Sequence, residues 1–214
     1  KHAIALGAAL HAASAVGKRA AMAKEQPAEP SAVQLAEPPT GEQLANLPPT
    51  ELDEAGRLLA DRRRRIHLVG GRFTDSLARY VSVQLRVLRP DVSHLQDQES
   101  NWQDQLLDMG RRDVLVVFDI RRYQPSLLRL AEGASARGAR VVLVTDQWLS
   151  PIARVAAHLL PARVVVPSVL DSSAALLALG EALLAEVTRR DWAHSRRRMR
   201  DLERLRESDR PPST

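Results

Sequence analysis

Two continuous apolar runs, Val114-Leu115-Val116-Val117-Phe118 and Val141-Val142-Leu143-Val144, limit what this chain can fold into. A strand without polar alternation has no face to show to water, so both its faces must be covered, as in a parallel sheet between helix layers. The flanking segments fit that frame. Ile66-His67-Leu68-Val69 is a short apolar strand ending at Gly70-Gly71, and Asp91 to Leu95 supplies another. His158 to Val166 contains a weaker strand interrupted by Pro161, which belongs at a sheet edge because proline has no N–H for the ladder. Helical patterns alternate with these strands. They run from Thr74 to Leu88 (Leu77, Tyr80, Val81, Leu85 and Leu88 on one side), Asn101 to Met109, Pro125 to Ala136, and Ser172 to Val187. Ser150-Pro151 opens a further short helix with proline in its first turn. This alternation predicts an α/β fold with helices on both faces of a parallel sheet.

The 214 residues suit one such domain of roughly 150 residues plus extensions. At 44% hydrophobic the chain buries a real core, which excludes a wholly disordered protein. The absence of cysteine excludes disulfides, Fe–S clusters, Cys-zinc sites and thiol nucleophiles. Ala3 to Leu10, the longest clean apolar stretch, is too short to span a bilayer, so a soluble, cytoplasmic protein without membrane partners is expected. With 31 Lys+Arg against 26 Asp+Glu the formal charge is +5, and arginines cluster at 62–65 and 196–200. That balance allows phosphate affinity without requiring it, and 3% aromatic content argues against a base-stacking platform.

Residues 1–49 read as an Ala- and Pro-rich linker or expression remnant, partly disordered. The chain opens on Lys1, so residue 1 is expected not to be a natural start. A signal peptide is the alternative for the first 22 residues, but His11 interrupts the apolar run. Thr50 reads as an N-cap for a helix carrying Leu52, Ala55, Leu58 and Leu59. Residues 189–214 form a basic tail. Its stripe of Trp192, Met199, Leu202 and Leu205 suggests an amphipathic helix docking on the domain or a partner subunit, with nucleic-acid binding as the alternative.

Parallel sheets bind ligands outside the carboxyl ends of their strands, near the switch in strand order. The loops to inspect are therefore 70–75, 119–124, 145–151 and 167–172. In the first, Gly70-Gly71-Arg72 leads to Thr74, which either caps the next helix in a tight turn or also donates its hydroxyl to a phosphate. In the second, Arg121 and Arg122 either hold an anion, with Asp119 accepting sugar hydroxyls, or form a local Asp–Arg network that orders the loop. In the third, Ser150 is a good N-cap and Trp148 walls a pocket or packs under the loop. The fourth offers Ser168, Asp171, Ser172 and Ser173, with helix capping by Asp171 or Ser172 as the simpler account. The six histidines have no metal-ligand spacing, and His67, His94 and His158 read as core or edge residues. No Gly-x-Ser-x-Gly elbow, Walker lysine or Gly-x-Gly-x-x-Gly fingerprint is present, so no catalytic residue, metal or cofactor is assigned.

From about 46 to 187 the order of phrases resembles the SIS (sugar isomerase) domain of RpiR/MurR-family bacterial transcription regulators. Those phrases are Leu77-Ala78-Arg79-Tyr80, Leu88-Arg89-Pro90, Asp113-Val114-Leu115-Val116, Arg137-Gly138-Ala139-Arg140-Val141-Val142, Leu149-Ser150-Pro151-Ile152-Ala153 and Leu170-Asp171-Ser172. The resemblance implies a flavodoxin-like three-layer α/β/α sandwich with a five-stranded parallel sheet, spanning 50–188. It also implies a homodimer, and a phosphosugar effector that adjusts operator binding by a separate N-terminal helix-turn-helix domain not present in this chain. Departures from the family pattern fall on the ligand loops. Its Gly-x-Gly-x-Ser loop aligns with Gly70 to Thr74, placing Arg72 at the second glycine, and its Ser-x-Ser-Gly loop aligns with Asp119-Ile120-Arg121-Arg122. Ligand contact is therefore expected from Gly70, Gly71, Arg72, Thr74, Asp119, Arg121, Arg122 and Ser172. Arg72 and Arg121 should grip the anion, and Arg121 or Arg122 should neutralise Asp119. A non-enzymatic sensing domain leads. A phosphosugar isomerase or lyase, or a dimerisation module with a degenerate pocket, are the alternatives.

Overall fold

The computed structural model describes residues 49–95, 99–166 and 170–208; the expectations for the 1–48 segment, for Ser168 and for the end of the tail lie outside them. Strand β3 (Asp113–Asp119) is buried at every position, and β4 (Arg140–Asp146) at all but its first. They lie inside a five-stranded, all-parallel sheet ordered β2–β1–β3–β4–β5, completed by β1 (Arg65–Gly70), β2 (Val92–His94) and β5 (His158–Ala162). Register aligns the carboxyl ends: Gly70 stands opposite Phe118, and Asp119 opposite Thr145. Pro161 sits on an edge strand, where its missing N–H breaks no ladder bond.

Successive residues of a strand face opposite ways, and the core divides accordingly. Val114, Val116 and Phe118 join Ile66, Leu68, Val142 and Val144 beneath α1 (Pro49–Ala60), α2 (Asp75–Leu88) and α5 (Ala174–Arg190). Leu115 and Val117 join Val69, Val141 and Leu143 beneath α3 (Trp102–Leu107) and α4 (Pro125–Ala136). Each fully buried aliphatic side chain contributes about 1.5–3 kcal/mol, so this double layer dominates stability. Short 3-10 turns at Glu99–Asn101 and Pro151–Arg154 complete the connections, and Ser150 caps the second by accepting the Ile152 N–H.

Several local expectations need correction. Helix α1 begins at Pro49, so Thr50 lies in its first turn and not at the cap; proline is suited to a helix start because its absent N–H is one that would lack a partner anyway. The basic tail is a regular helix, α6 (Trp192–Ser208), but its apolar stripe is not buried. Trp192, Met199 and Leu205 are exposed, Leu202 is half-buried, and Ser195 is the buried residue. The arginines at 62–65 each pair with a carboxylate, while Arg62, Arg63 and Arg65 keep half or more of their side chains in solvent. Arg62 pairs with Asp191, Arg63 and Arg64 with Asp61, and Arg65 with Asp113. Burial alone would push the Asp113 carboxyl up, but hydrogen bonds from Arg65, His67 and the Gly110 N–H hold it below the usual carboxylate range. Three of the described histidines occupy similar structural places. His67 bridges Ser93 and Asp113, His94 Nε2 lies 2.8 Å from Asp75 Oδ1, and His158 Nδ1 lies 3.3 Å from Glu51 Oε2. Among the described residues no helix is long and apolar enough to cross a membrane.

Candidate functional site

The strand order turns at β1, whose neighbours are β2 on one side and β3 on the other, so the loops after β1 and β3 diverge to opposite layers. The crevice left between them holds a cavity of about 230 Å³. Residues 71–74 form one wall, and Asp119 to Arg122 with Gln124 form the other. Arg72, Thr74, Asp119 and Arg121 therefore do meet in one hollow.

The first wall is a very tight turn. A Cβ at Gly70 would lie 2.5 Å from Asp75 N and from the Thr74 carbonyl atoms, so only glycine allows this approach of main chain to main chain. The Gly71 N–H donates to Phe118 O at 3.1 Å and to Thr74 Oγ1 at 2.9 Å. The N–H groups of Thr74 and Asp75 both turn back onto Gly71 O, at 3.0 and 2.8 Å. Thr74 is 1% exposed, and its hydroxyl donates to Phe118 O at 2.5 Å. It makes no cap bond to α2. The expected phosphate donor is thus committed to fastening its own turn, because the turn closes so sharply that the hydroxyl lies against the neighbouring strand. Arg72 differs. Its N–H donates to the Gln124 side-chain oxygen at 2.5 Å, and its guanidinium extends outward over the Phe73 ring, 5.3 Å from the centroid.

On the second wall Asp119 is 2% exposed, and no arginine neutralises it. Ser150 Oγ donates to Oδ2 at 2.5 Å, and the Gln124 N–H approaches Oδ1 at 3.4 Å. Burial pushes this carboxyl up to about 6; the nearby Asp146 carboxylate adds to the rise, while the two hydrogen bonds oppose it. Arg121 points the other way. Its guanidinium grips Asp171 with two N–H donors, Nε to Oδ2 at 2.7 Å, and lies 4.3 Å over the Trp148 ring. Asp146 is fully buried and accepts from Arg121 N–H, Tyr123 Oη and Trp148 N–H at 2.7–3.0 Å. This network binds three loops together. It also corrects the expected grip: Arg121 is a strut between loops, and of the three arginines lining the cavity Arg72 and Arg122 have no carboxylate partner among the described residues.

Ser172 does not line the cavity. Its N–H bonds Val164 O and its hydroxyl accepts the Ala174 N–H, which keeps it with the start of α5. Gly70 shapes the turn from behind. Two contributors were not singled out from sequence: Ser150 as the partner of Asp119, and Gln124, which lines the cavity from the N-cap position of α4. Being the residue just before Pro125, in the loop that follows a buried strand, was the one available signal for Gln124. Chemically, the site offers the exposed arginines Arg72 and Arg122, and a buried carboxyl raised to about 6 with the Ser150 hydroxyl bonded to it. It suits an oxyanion that also carries hydroxyls.

The family model for the SIS domain matches residues 58–186. No curated protein matches the chain. Among solved structures, the sugar isomerase domain of an RpiR transcription factor from Sphaerobacter thermophilus superposes with TM-score 0.72 at 24% identity, covering 77% of this chain and 91% of that one. The NanR protein of Vibrio vulnificus, complexed with ManNAc-6P, gives 0.66 at 12% identity over 77% of this chain and 64% of that one. A candidate phosphosugar isomerase involved in capsule formation from Bacteroides fragilis gives 0.60 at 15% identity, over 74% and 90%. At these identities the likenesses establish the fold, a sheet that serves both regulators and sugar-phosphate proteins.

Proposed function

The chain belongs to the SIS-domain family, and from that premise we propose that it is the ligand-sensing and dimerisation domain of an RpiR/MurR-type DNA-binding transcription regulator, without catalysis of its own. Residues 50–188 form the effector domain, 1–49 its linker and 189–214 a basic appendage. Its effector is a phosphosugar or another small anionic metabolite, held in the cavity between the loops after β1 and β3. DNA contact belongs to a separate helix-turn-helix domain.

The observation that carries this reading is the placement of Arg72 and Arg122 on opposite walls of that cavity, with no carboxylate partner among the described residues. Two exposed arginines flanking one cavity supply guanidinium forks that can take a phosphate or carboxylate. The Gly71, Thr74 and Asp75 N–H groups and the Thr74 hydroxyl are already bonded to the turn itself or to Phe118 O, so the arginine side chains carry most of the grip. Asp119, half protonated near pH 6, can accept from or donate to a hydroxyl of the same ligand.

A thermal-shift and calorimetric screen of sugar phosphates and small carboxylates tests it. A true effector at 100 times its Kd stabilises the wild type by about 2.7 kcal/mol. Arg72→Ala/Arg122→Ala should weaken binding by about 100-fold, two charge-assisted contacts of about 1.5 kcal/mol or more each. Equal binding by the double variant, or no shift with any anion, overturns the reading. The isomerase alternative draws on one observation, a cavity carboxyl whose proton leaves near pH 6, within the range of a general acid or base. Turnover of a sugar phosphate that disappears in Asp119→Asn would establish it instead.

A further inference from the structure

We propose that Gln124 is an internal competitor for the effector, its side-chain oxygen sitting on the Arg72 N–H where an oxyanion of the ligand binds. This inference rests on the proposed anion site and adds its selectivity device. The Gln124 Oε1 accepts the Arg72 N–H at 2.5 Å, and it lies 2.5 Å from where a Cβ at Gly71 would stand. The amide oxygen therefore fills the hollow that glycine leaves in the turn. Its orientation is fixed from both ends: a backbone N–H demands oxygen on one side, and on the other Nε2 donates to Glu99 Oε1 at 3.1 Å.

What sets this contact apart is that it can move. The N–H groups of Gly71, Thr74 and Asp75 are bonded within the turn or to Phe118, so releasing them unmakes the turn. Among these positions Arg72 alone donates to a side chain from outside the turn, one that is half-buried and held at its other end by Glu99, itself exposed. A phosphate or carboxylate oxygen is a stronger acceptor than a neutral amide, and Arg72 and Arg122 add their charge to it. A neutral sugar offers neither advantage and leaves the plug in place. Binding then requires a terminal oxyanion, and the apparent affinity is reduced by the fraction of molecules with the plug seated. Displacement also frees Glu99, the first residue of the turn leading into α3, so occupancy of the cavity changes a contact on the α3–α4 side of the sheet.

The test is titration of the full chain with inorganic phosphate at constant ionic strength, comparing wild type, Gln124→Ala and Gln124→Glu, with the Arg72 amide resonance followed by NMR. Gln124→Ala should bind phosphate about tenfold more tightly, and Gln124→Glu, which sets a second acid against the ligand, at least tenfold more weakly. The Arg72 amide should shift in the wild type on phosphate addition, and Glu99→Gln, which loosens the anchor, should move affinity in the direction of Gln124→Ala. Equal or weaker binding by Gln124→Ala, with wild-type binding intact and lost in Arg72→Ala/Arg122→Ala, overturns the competitor and leaves the anion site standing. Absence of phosphate binding in every variant overturns both. If Gln124→Ala does not fold, an unmoved Arg72 amide in saturated wild type rejects the proposal alone.

Discussion

Asp119 shows how one side chain ties stability to pH. Its carboxyl is raised to about 6 chiefly by burial, well above its value in an unfolded chain. Between about pH 4 and 6 the folded state therefore holds a proton that the unfolded state has released. Stability from this residue is complete below pH 4 and falls as pH rises through 6, by about 2–3 kcal/mol. Asp119→Asn, which removes the charge while keeping an acceptor for Ser150, should flatten that slope and stabilise the protein at pH 8 by about 1–2 kcal/mol; urea unfolding at pH 4.5 and 8 measures both. The gathering of Arg72, Thr74, Asp119 and Arg121 was legible in the sequence because each lies at a strand tip. Their partnerships were not. Ser150 and Asp171 come from 31 and 50 residues away along the chain, and no local pattern says which arginine a distant aspartate takes.

At the level of elements, the end of α1 depends on a residue from another helix. Arg89 follows α2, is 2% exposed, and donates to the main-chain oxygens of Leu59, Asp61, Arg64 and Pro90. Burial lowers its pKa, while the carbonyls at the end of a helix suit a cation. Arg89→Met keeps much of the volume but leaves those oxygens without donors. It should cost about 3 kcal/mol, seen as a lower Tm and faster amide exchange in the last turn of α1. Arg89→Lys should recover little, since one ammonium cannot span the same fork of acceptors. Helices α2 and α4 were readable almost to their ends, because Pro125 and the apolar stripe of 77–88 act locally. The start of α1 was misread because Pro49 and Thr50 both suit a helix start, and sequence alone does not rank them.

Across the molecule, the two layers seal both faces of the sheet, and α6 rests on this body without adding to its core. The helix touches α2 through Ser195 Oγ, 3.5 Å from Leu88 O, and through Arg198, which donates to Arg86 O at 3.1 Å. A chain ending at Asp191 should therefore keep its cooperative unfolding and lose no more than about 3 °C in Tm by calorimetry; a loss above about 10 °C would make α6 part of the folding unit. The parallel sheet was legible because uninterrupted apolar strands admit few other architectures. The exposure of the α6 stripe was not, since hydrophobic spacing marks a face without naming what covers it. The hinge-tight bend at Gly70 closes almost wholly through main-chain atoms and one threonine hydroxyl, so its shape is indifferent to the charges at 72, 119, 121 and 122. Such a frame lets recognition chemistry be rewritten, serine to arginine or hydroxyl to carboxyl, while the scaffold underneath stays the same.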